Sequence, residues 1–197
     1  MKRIFMTGVM IIFGIINLNA CGPAGTPVVV VPTATPQLVV VKVLPTPISP
    51  GEMITYDDLQ VVMVQAEITG SYQTEYGSTR EPPAGFNFIW IHITLKNMGQ
   101  SIRDVPASEH FSLLYEEKEF KPIYGHRLDH PDYFALPSGM FQDQVMDAWL
   151  RFDIPAALGL KDLWFVFLPT GTQVSVGFST TDSPWGDQPI YLWSCSQ

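Results

Sequence analysis

The sequence predicts an all-β protein: an immunoglobulin-like β-sandwich of seven to eight strands, carried behind a cleaved signal peptide and a proline-rich tether. Three observations predict the class. Short β-branched and aromatic stretches alternate with a period of two, as half-buried strands do. Clusters of Pro, Gly, Asn, Asp and Ser separate them at short intervals. No long run carries helical periodicity. The segments divide as residues 1–20 for the signal, 21–50 for the tether and 51–197 for the sandwich.

The leader comes first. Met1, Lys2 and Arg3 precede an apolar run from Ile4 to Leu18. A cationic start, an apolar middle and a small-residue end are the parts of an export signal. A helix over Ile4–Leu18 reaches only about 22 Å, short of the roughly 30 Å hydrocarbon slab. Leu18-Asn19-Ala20-Cys21 closes the run and resembles the lipobox of bacterial lipoproteins. That resemblance implies a diacylglyceryl thioether on Cys21, cleavage before it and acylation of the new amino terminus. Two or more acyl chains give a stable anchor where one does not. The implied address is the cell membrane, lipid-anchored, facing the extracytoplasmic side.

The tether follows. Residues 22–50 hold Pro23, Pro27, Pro32, Pro36, Pro45, Pro47 and Pro50. Each fixes φ and removes an N–H donor, which excludes a long helix or a central strand. The apolar stretch Val39–Val43 is a candidate edge strand against the domain. Loss of Lys2 and Arg3 with the signal moves the formal charge from −8 to −10. An acidic chain with scattered cations excludes nucleic acid as a partner. Cys195 is left as a lone thiol near the chain end, either a tolerated tail residue or half of an intermolecular disulfide.

The strands come next. Leu59–Ile68 is a β-branched run. In Phe86–Asn97, Ile89, Ile91, Ile93 and Leu95 share one face, and Trp90, His92, Thr94 and Lys96 the other. His110–Ile123 reads as a hairpin turning at Glu116–Lys118. In the next long strand Met146, Ala148, Leu150, Phe152 and Ile154 oppose Val145, Asp147, Trp149, Arg151 and Asp153. "LWFVFLP", "QVSVGFS" and "PIYLW" supply three more strands, and Ala156–Leu160 one helical turn.

The order of "FIWIHITLKNMG", "FSLLY…FKPIY", "LPSG", "AWLRFDIP" and "LWFVF" is similar to a telokin-like, immunoglobulin-like sandwich family called domain of unknown function 4352. The resemblance covers residues 53–180 and implies exported or lipid-anchored proteins. Its motifs are structural and imply no chemistry. A Gly usually tips the family's hairpin, where Glu116-Glu117-Lys118-Glu119 stands here.

Chemistry-bearing clusters are sparse. Tyr124–Phe134 gathers His126, Asp129, His130 and Asp132. On a helix, His126 and His130 would face one way, as a metal site needs, but Gly125 and Pro131 point to a solvated loop. His126, His130 and Asp132 stand as metal candidates only on the alternative reading, and no cofactor is expected. The five methionines of the mature chain are irregularly spaced and fit core filling better than copper binding. Ser108, His110 and Asp104 carry no nucleophile signature, so no catalytic residue is assigned and no enzyme is expected. The outer-face residues Trp90, His92, Trp149 and Arg151 form the candidate binding patch. The expected function is therefore a lipid-anchored, non-catalytic binding or interaction module of the cell envelope, with an unknown protein or glycan as partner. The alternatives are a metal-binding envelope protein using the 124–134 loop and a purely structural spacer.

Overall fold

Period-two alternation along the two longest strands sets the frame of the domain. The computed structural model describes residues 45–170 and 189–196, all within one unit of the chain. The lipid-site Cys21, the leader, the Val39–Val43 stretch and the "QVSVGFS" strand lie outside the described residues.

Twelve strands are described: β1 (Met53–Tyr56), β2 (Leu59–Thr69), β3 (Tyr72–Gln73), β4 (Thr79–Arg80), β5 (Phe86–Asn97), β6 (Arg103–Asp104), β7 (Phe111–Tyr115), β8 (Lys118–Phe120), β9 (Gly139–Met140), β10 (Val145–Pro155), β11 (Trp164–Phe167) and β12 (Tyr191–Ser194). Eight of them build two four-stranded antiparallel sheets, ordered β1-β2-β5-β10 and β12-β11-β7-β8. The other four form two short ribbons, β3-β4 and β6-β9. The molecule is the all-β sandwich that the sequence predicts.

The inner faces fill the space between the sheets. Ile89, Ile91, Ile93 and Leu95 of β5 meet Met146, Ala148, Leu150, Phe152 and Ile154 of β10 there. Phe111, Leu113, Phe165, Phe167 and Trp193 close the cluster from the second sheet. The Phe111 ring stacks on Phe165 and Phe167 at centroid distances of 5.6 and 5.0 Å. Burial of such side chains stabilises by about 1.5–3 kcal/mol each.

Polar groups at the ends are tied. Asn97 is fully buried and donates from Nδ2 to the carbonyls of Ser101 (2.8 Å) and Met140 (3.0 Å). Its Oδ1 accepts from the Gly99 N–H at 2.9 Å. Those bonds fasten the end of β5 to the β6–β9 ribbon. A Cβ at Gly99 would stand 2.8 Å from Asp58 Oδ2, so a larger residue there would have to displace the Asp58 side chain.

The hairpin of β7 and β8 turns over Glu116-Glu117, with Tyr115 opposite Lys118. Glu116 takes φ +51°, the left-handed region that glycine enters without cost. The helical turn expected over 156–160 falls instead at Leu160–Asp162, where the Gly159 N–H reaches Asp162 Oδ2 at 2.9 Å. The last residues of the proline-rich stretch already belong to the sandwich. Ile48 donates to Leu192 O and accepts from Ser194 N–H, both at 2.9 Å. Cys195 is 3 % exposed and packs in the core. It is therefore neither a loose tail residue nor reachable for a disulfide, and burial pushes its thiol up to about 12.

One irregularity decides the chemistry of the first sheet. The pairing of β2 with β5 slips between Met63 and Gln65, so Val64 is an extra residue. Before this β-bulge, Leu59, Val61 and Met63 face the core. After it, Ala66 pairs with Ile91 and Glu67 with Trp90. Simple alternation would have aimed Glu67 inward with Met63. The bulge re-aims it outward, a recurring use of that device.

Candidate functional site

The outer face of the β1-β2-β5-β10 sheet carries the sequence's candidate patch. Phe88, Trp90 and His92 come from β5, and Trp149, Arg151 and Asp153 from β10. Trp149 pairs with His92, and Arg151 with Trp90. Alternation orients them away from the core, as the sequence predicts.

Their expected exposure is corrected by the structure. Trp90 is 0 % exposed and Trp149 8 %. Two chain segments cover them. The β3–β4 ribbon lays Tyr72 against Phe88 and Trp90 edge-on, at 5.1 and 5.0 Å. The 121–134 loop runs along the free edge of β10. Ile123 N–H donates to Arg151 O at 2.7 Å, and Trp149 N–H to Pro131 O at 2.8 Å. Tyr72, Phe88, Trp90 and Trp149 thus form a second buried cluster on the far side of the sheet.

Charged groups fasten the cover. His130 lies on Trp149 with centroids 3.7 Å apart and meets Trp90 edge-on at 5.4 Å. Its Nε2 stands 2.8 Å from Glu67 Oε1 and its Nδ1 3.2 Å from Asp129 Oδ1. Arg127 hydrogen-bonds the same Glu67 oxygen, pairs with Asp129 at 2.7 Å and sits 5.5 Å over the Trp90 ring. Glu67, placed there by the bulge, is the anchor point for both loop side chains. His92 stacks on Trp149 at 4.7 Å and pairs with Asp147 at 3.5 Å. Burial holds His92 below its ordinary value against the pull of Asp147.

The metal candidates do not converge. His126 Nε2 pairs with Glu75 Oε2 at 2.9 Å, whereas His130 turns to Glu67. Asp132 Oδ1 accepts from the Phe134 N–H at 3.0 Å, capping a short turn. Burial pushes Asp132 up, and its Oδ2 has no hydrogen-bond partner. Among the described residues, no three His, Cys, Asp or Glu side chains gather as a metal ion would require.

What remains open is a cleft of 410 Å³ beside the covered cluster. Tyr72, Phe88, Arg151 and Asp153 line it from the buried or half-buried part of the fold, together with Thr74 and Ser78. Tyr76 from the β3–β4 turn and Tyr124 from the 121–134 loop also line it, 86 % and 59 % exposed. Arg151 donates to the Tyr72 hydroxyl at 2.9 Å, lies 5.1 Å over Phe88 and faces Asp153 at 3.4 Å. Gly125 hugs Arg151, because a Cβ there would stand 2.7 Å from its Cδ. Of the patch the sequence proposes, only Arg151 reaches this cleft. The tyrosines escaped the sequence reading because they lie on connections, where no periodicity marks them. A second cavity of 480 Å³ is lined by Ser49, Pro50, Val64, Ser194 and Ser196, without aromatic or titratable side chains.

No family model matches the chain, and no curated protein matches it. Solved structures do. The yjhA protein from Bacillus subtilis is similar over 74 % of this chain and 97 % of its own, with 12 % identity and a TM-score of 0.50. An uncharacterized β-sandwich protein from Clostridium difficile 630 aligns over 79 % of this chain and 100 % of its own, at 11 % identity and a TM-score of 0.45. A "putative lipoprotein" (ycdA) from Bacillus subtilis aligns over 72 % of this chain and 38 % of its own, at 13 % identity and a TM-score of 0.45. The likeness to yjhA is one of fold: the chain is a β-sandwich of the kind seen in that bacterial protein.

Proposed function

We propose that this chain is a lipid-anchored, extracytoplasmic β-sandwich that works as a non-catalytic binding module of the cell envelope. The anchor is supported by Leu18-Asn19-Ala20-Cys21 at the end of an apolar leader, with the membrane as partner through lipid on Cys21. Among the described residues no helix is long and apolar enough to cross a membrane. The motif order similar to domain of unknown function 4352 supports the same setting. The observation that carries binding is the open cleft between Tyr76 and Tyr124. Ligand sites are concave, largely apolar and furnished with a few convergent polar groups. This cleft is concave and sets the rings of Tyr72, Tyr76, Phe88 and Tyr124 among a larger share of polar groups, while the neighbouring tryptophans are already covered by the chain itself.

Two measurements test the proposal. In fractionated cells the wild-type chain is expected with the membranes, and Cys21→Ala is expected to lose most of that share. An unchanged membrane share overturns the anchor. A photo-reactive benzoylphenylalanine in place of Tyr76 is expected to give crosslinked product in intact cells, and the same group in place of Glu117 is not. Equal yield at both positions, or none at Tyr76, overturns the binding role of the cleft.

A further inference from the structure

We infer that the Tyr76–Tyr124 cleft takes a neutral glycan, held by its sugar-ring faces on tyrosine and by its hydroxyls on Arg151 and Asp153. This rests on the binding role proposed above and names the ligand's chemistry.

Charge gives the first argument. The cleft's formally charged side chains are Arg80 and Arg151 against Glu81 and Asp153. Opposite signs in equal number give no net field to attract a polyanion or a phosphate. His126, the remaining titratable lining group besides the tyrosines, is occupied by Glu75 at 2.9 Å. A ligand without net charge fits such a lining.

Polar groups supply the second argument. Arg151 and Asp153 form an ion pair at 3.4 Å and keep 12 % and 19 % of their side chains exposed. With Arg80 and Glu81 they set donors beside acceptors around the cleft. A hydroxyl suits such a mixed lining, because its oxygen accepts while its hydrogen donates.

Shape supplies the third. Tyr76 and Tyr124 line the cavity with large rings left in water, and the buried Tyr72 and Phe88 line it from within the fold. A pyranose ring has apolar C–H faces and a polar rim. Its faces cover the tyrosines and its rim meets the hydroxyls of Thr74 and Ser78. The 410 Å³ volume lies in the lower part of the range for small-ligand sites, about 300–1,000 Å³. That suits a short stretch of a longer oligosaccharide.

The test is calorimetric titration of the full chain in detergent with chitotetraose and, separately, cellotetraose. At least one is expected to bind in the micromolar to low-millimolar range. Tyr76→Ala and Tyr124→Ala, both at exposed positions that leave the core intact, are each expected to weaken binding about tenfold, or roughly 1.4 kcal/mol. Asp153→Asn keeps the shape and is expected to weaken it less than Tyr76→Ala. Absence of heat with either oligosaccharide, while benzoylphenylalanine at Tyr76 still captures a partner in cells, overturns the glycan and leaves the binding module standing. Binding that survives both tyrosine changes places the sugar elsewhere and overturns the site. Failure of both the titration and the crosslink removes the binding role itself.

Discussion

At Phe88 and Trp90 the outer face of the β1-β2-β5-β10 sheet is as dry as its inner face, and chemically opposite to it. The inner face of β5 is Ile89, Ile91, Ile93 and Leu95, each 0 % exposed. Its outer face holds Phe88 and Trp90 at 3 % and 0 %, with His92 beside them. The inner face is covered by another sheet, whose strands bring their own hydrogen bonds. The outer face is covered by connections, which must be fastened side chain by side chain. That difference explains the chemistry. Aliphatic packing needs no direction, so the inner face has no polar group from Ile89 to Leu95, and its one buried amide, Asn97, stands at the strand's end. A loop needs directional ties, and the outer face supplies them through Glu67, His130, Arg127 and Trp149. At Phe88 and Trp90 burial alone would have ranked the faces as equals.

Four measurements would break or sharpen that contrast. The largest effect is expected from Ile91→Asp. It puts an unpaired carboxylate between the sheets, at a cost comparable to the whole stability of a domain, about 5–15 kcal/mol. Loss of the folded signal in circular dichroism and of a cooperative melt is the expected result. A normal melt would reverse the assignment of the faces.

Trp90→Ala is expected to cost about 3–5 kcal/mol, the usual range for a buried aromatic. Chemical denaturation measures it. A cost below about 1 kcal/mol would show that the loop cover is not part of the cooperative unit.

Glu67→Gln is expected to cost about 1–3 kcal/mol, because Arg127 and His130 lose their common carboxylate in a largely buried place. The loss should appear first as faster amide exchange at Trp149, whose N–H bonds Pro131 O in the loop. Uniform acceleration over β5 and β10 alike would contradict a local tie.

The smallest effect is a pH dependence. His92 has its folded value lowered by burial, so below its ordinary 6.5 the unfolded chain binds more protons. Its contribution is complete above that point and shrinks as pH falls through it. Asp132 acts in the opposite sense and lower, since its raised folded value favours the native state as acid is added above the ordinary 3.8. Melts at pH 7.5 and 6.0 should therefore show a modest loss on acidification in the wild type. Replacement of His92 by Phe, which keeps a ring on Trp149, should flatten the change. A slope unaltered by that replacement would place the proton elsewhere.

Much of the frame was legible in the sequence. The period of two in Phe86–Asn97 and Val145–Pro155 separates the faces residue by residue, because one face is apolar from Ile89 to Leu95 and from Met146 to Ile154. The turn at Glu116-Glu117 was legible from flanking strands even without its glycine. The cover was not. A tryptophan that points away from a core reads as exposed unless the segment lying over it is known, and here that segment is loop. The orientation of Glu67 was hidden for a different reason. Nothing in "VVMVQAEI" marks Val64 as supernumerary, since a bulge is a property of the pair of strands. The histidines of the 124–134 segment do lie on a loop, but not a solvated one throughout, since His130 and Asp132 are buried against the sheet. Their separate partners, Glu75 and Glu67, come from distant sequence that spacing does not reveal.

Val64 carries a consequence for how this domain can drift in evolution. Removal of that single residue would restore strict pleating along β2 and still leave Gln65, Ala66 and Glu67 opposite His92, Ile91 and Trp90. One residue added between Gln65 and Ala66 would instead carry Glu67 opposite Ile89, into the hydrocarbon between the layers, and leave Arg127 and His130 without their carboxylate. Shortening of the strand at this point is thus compatible with the loop that reads it, whereas lengthening by one codon would rewrite an entire surface.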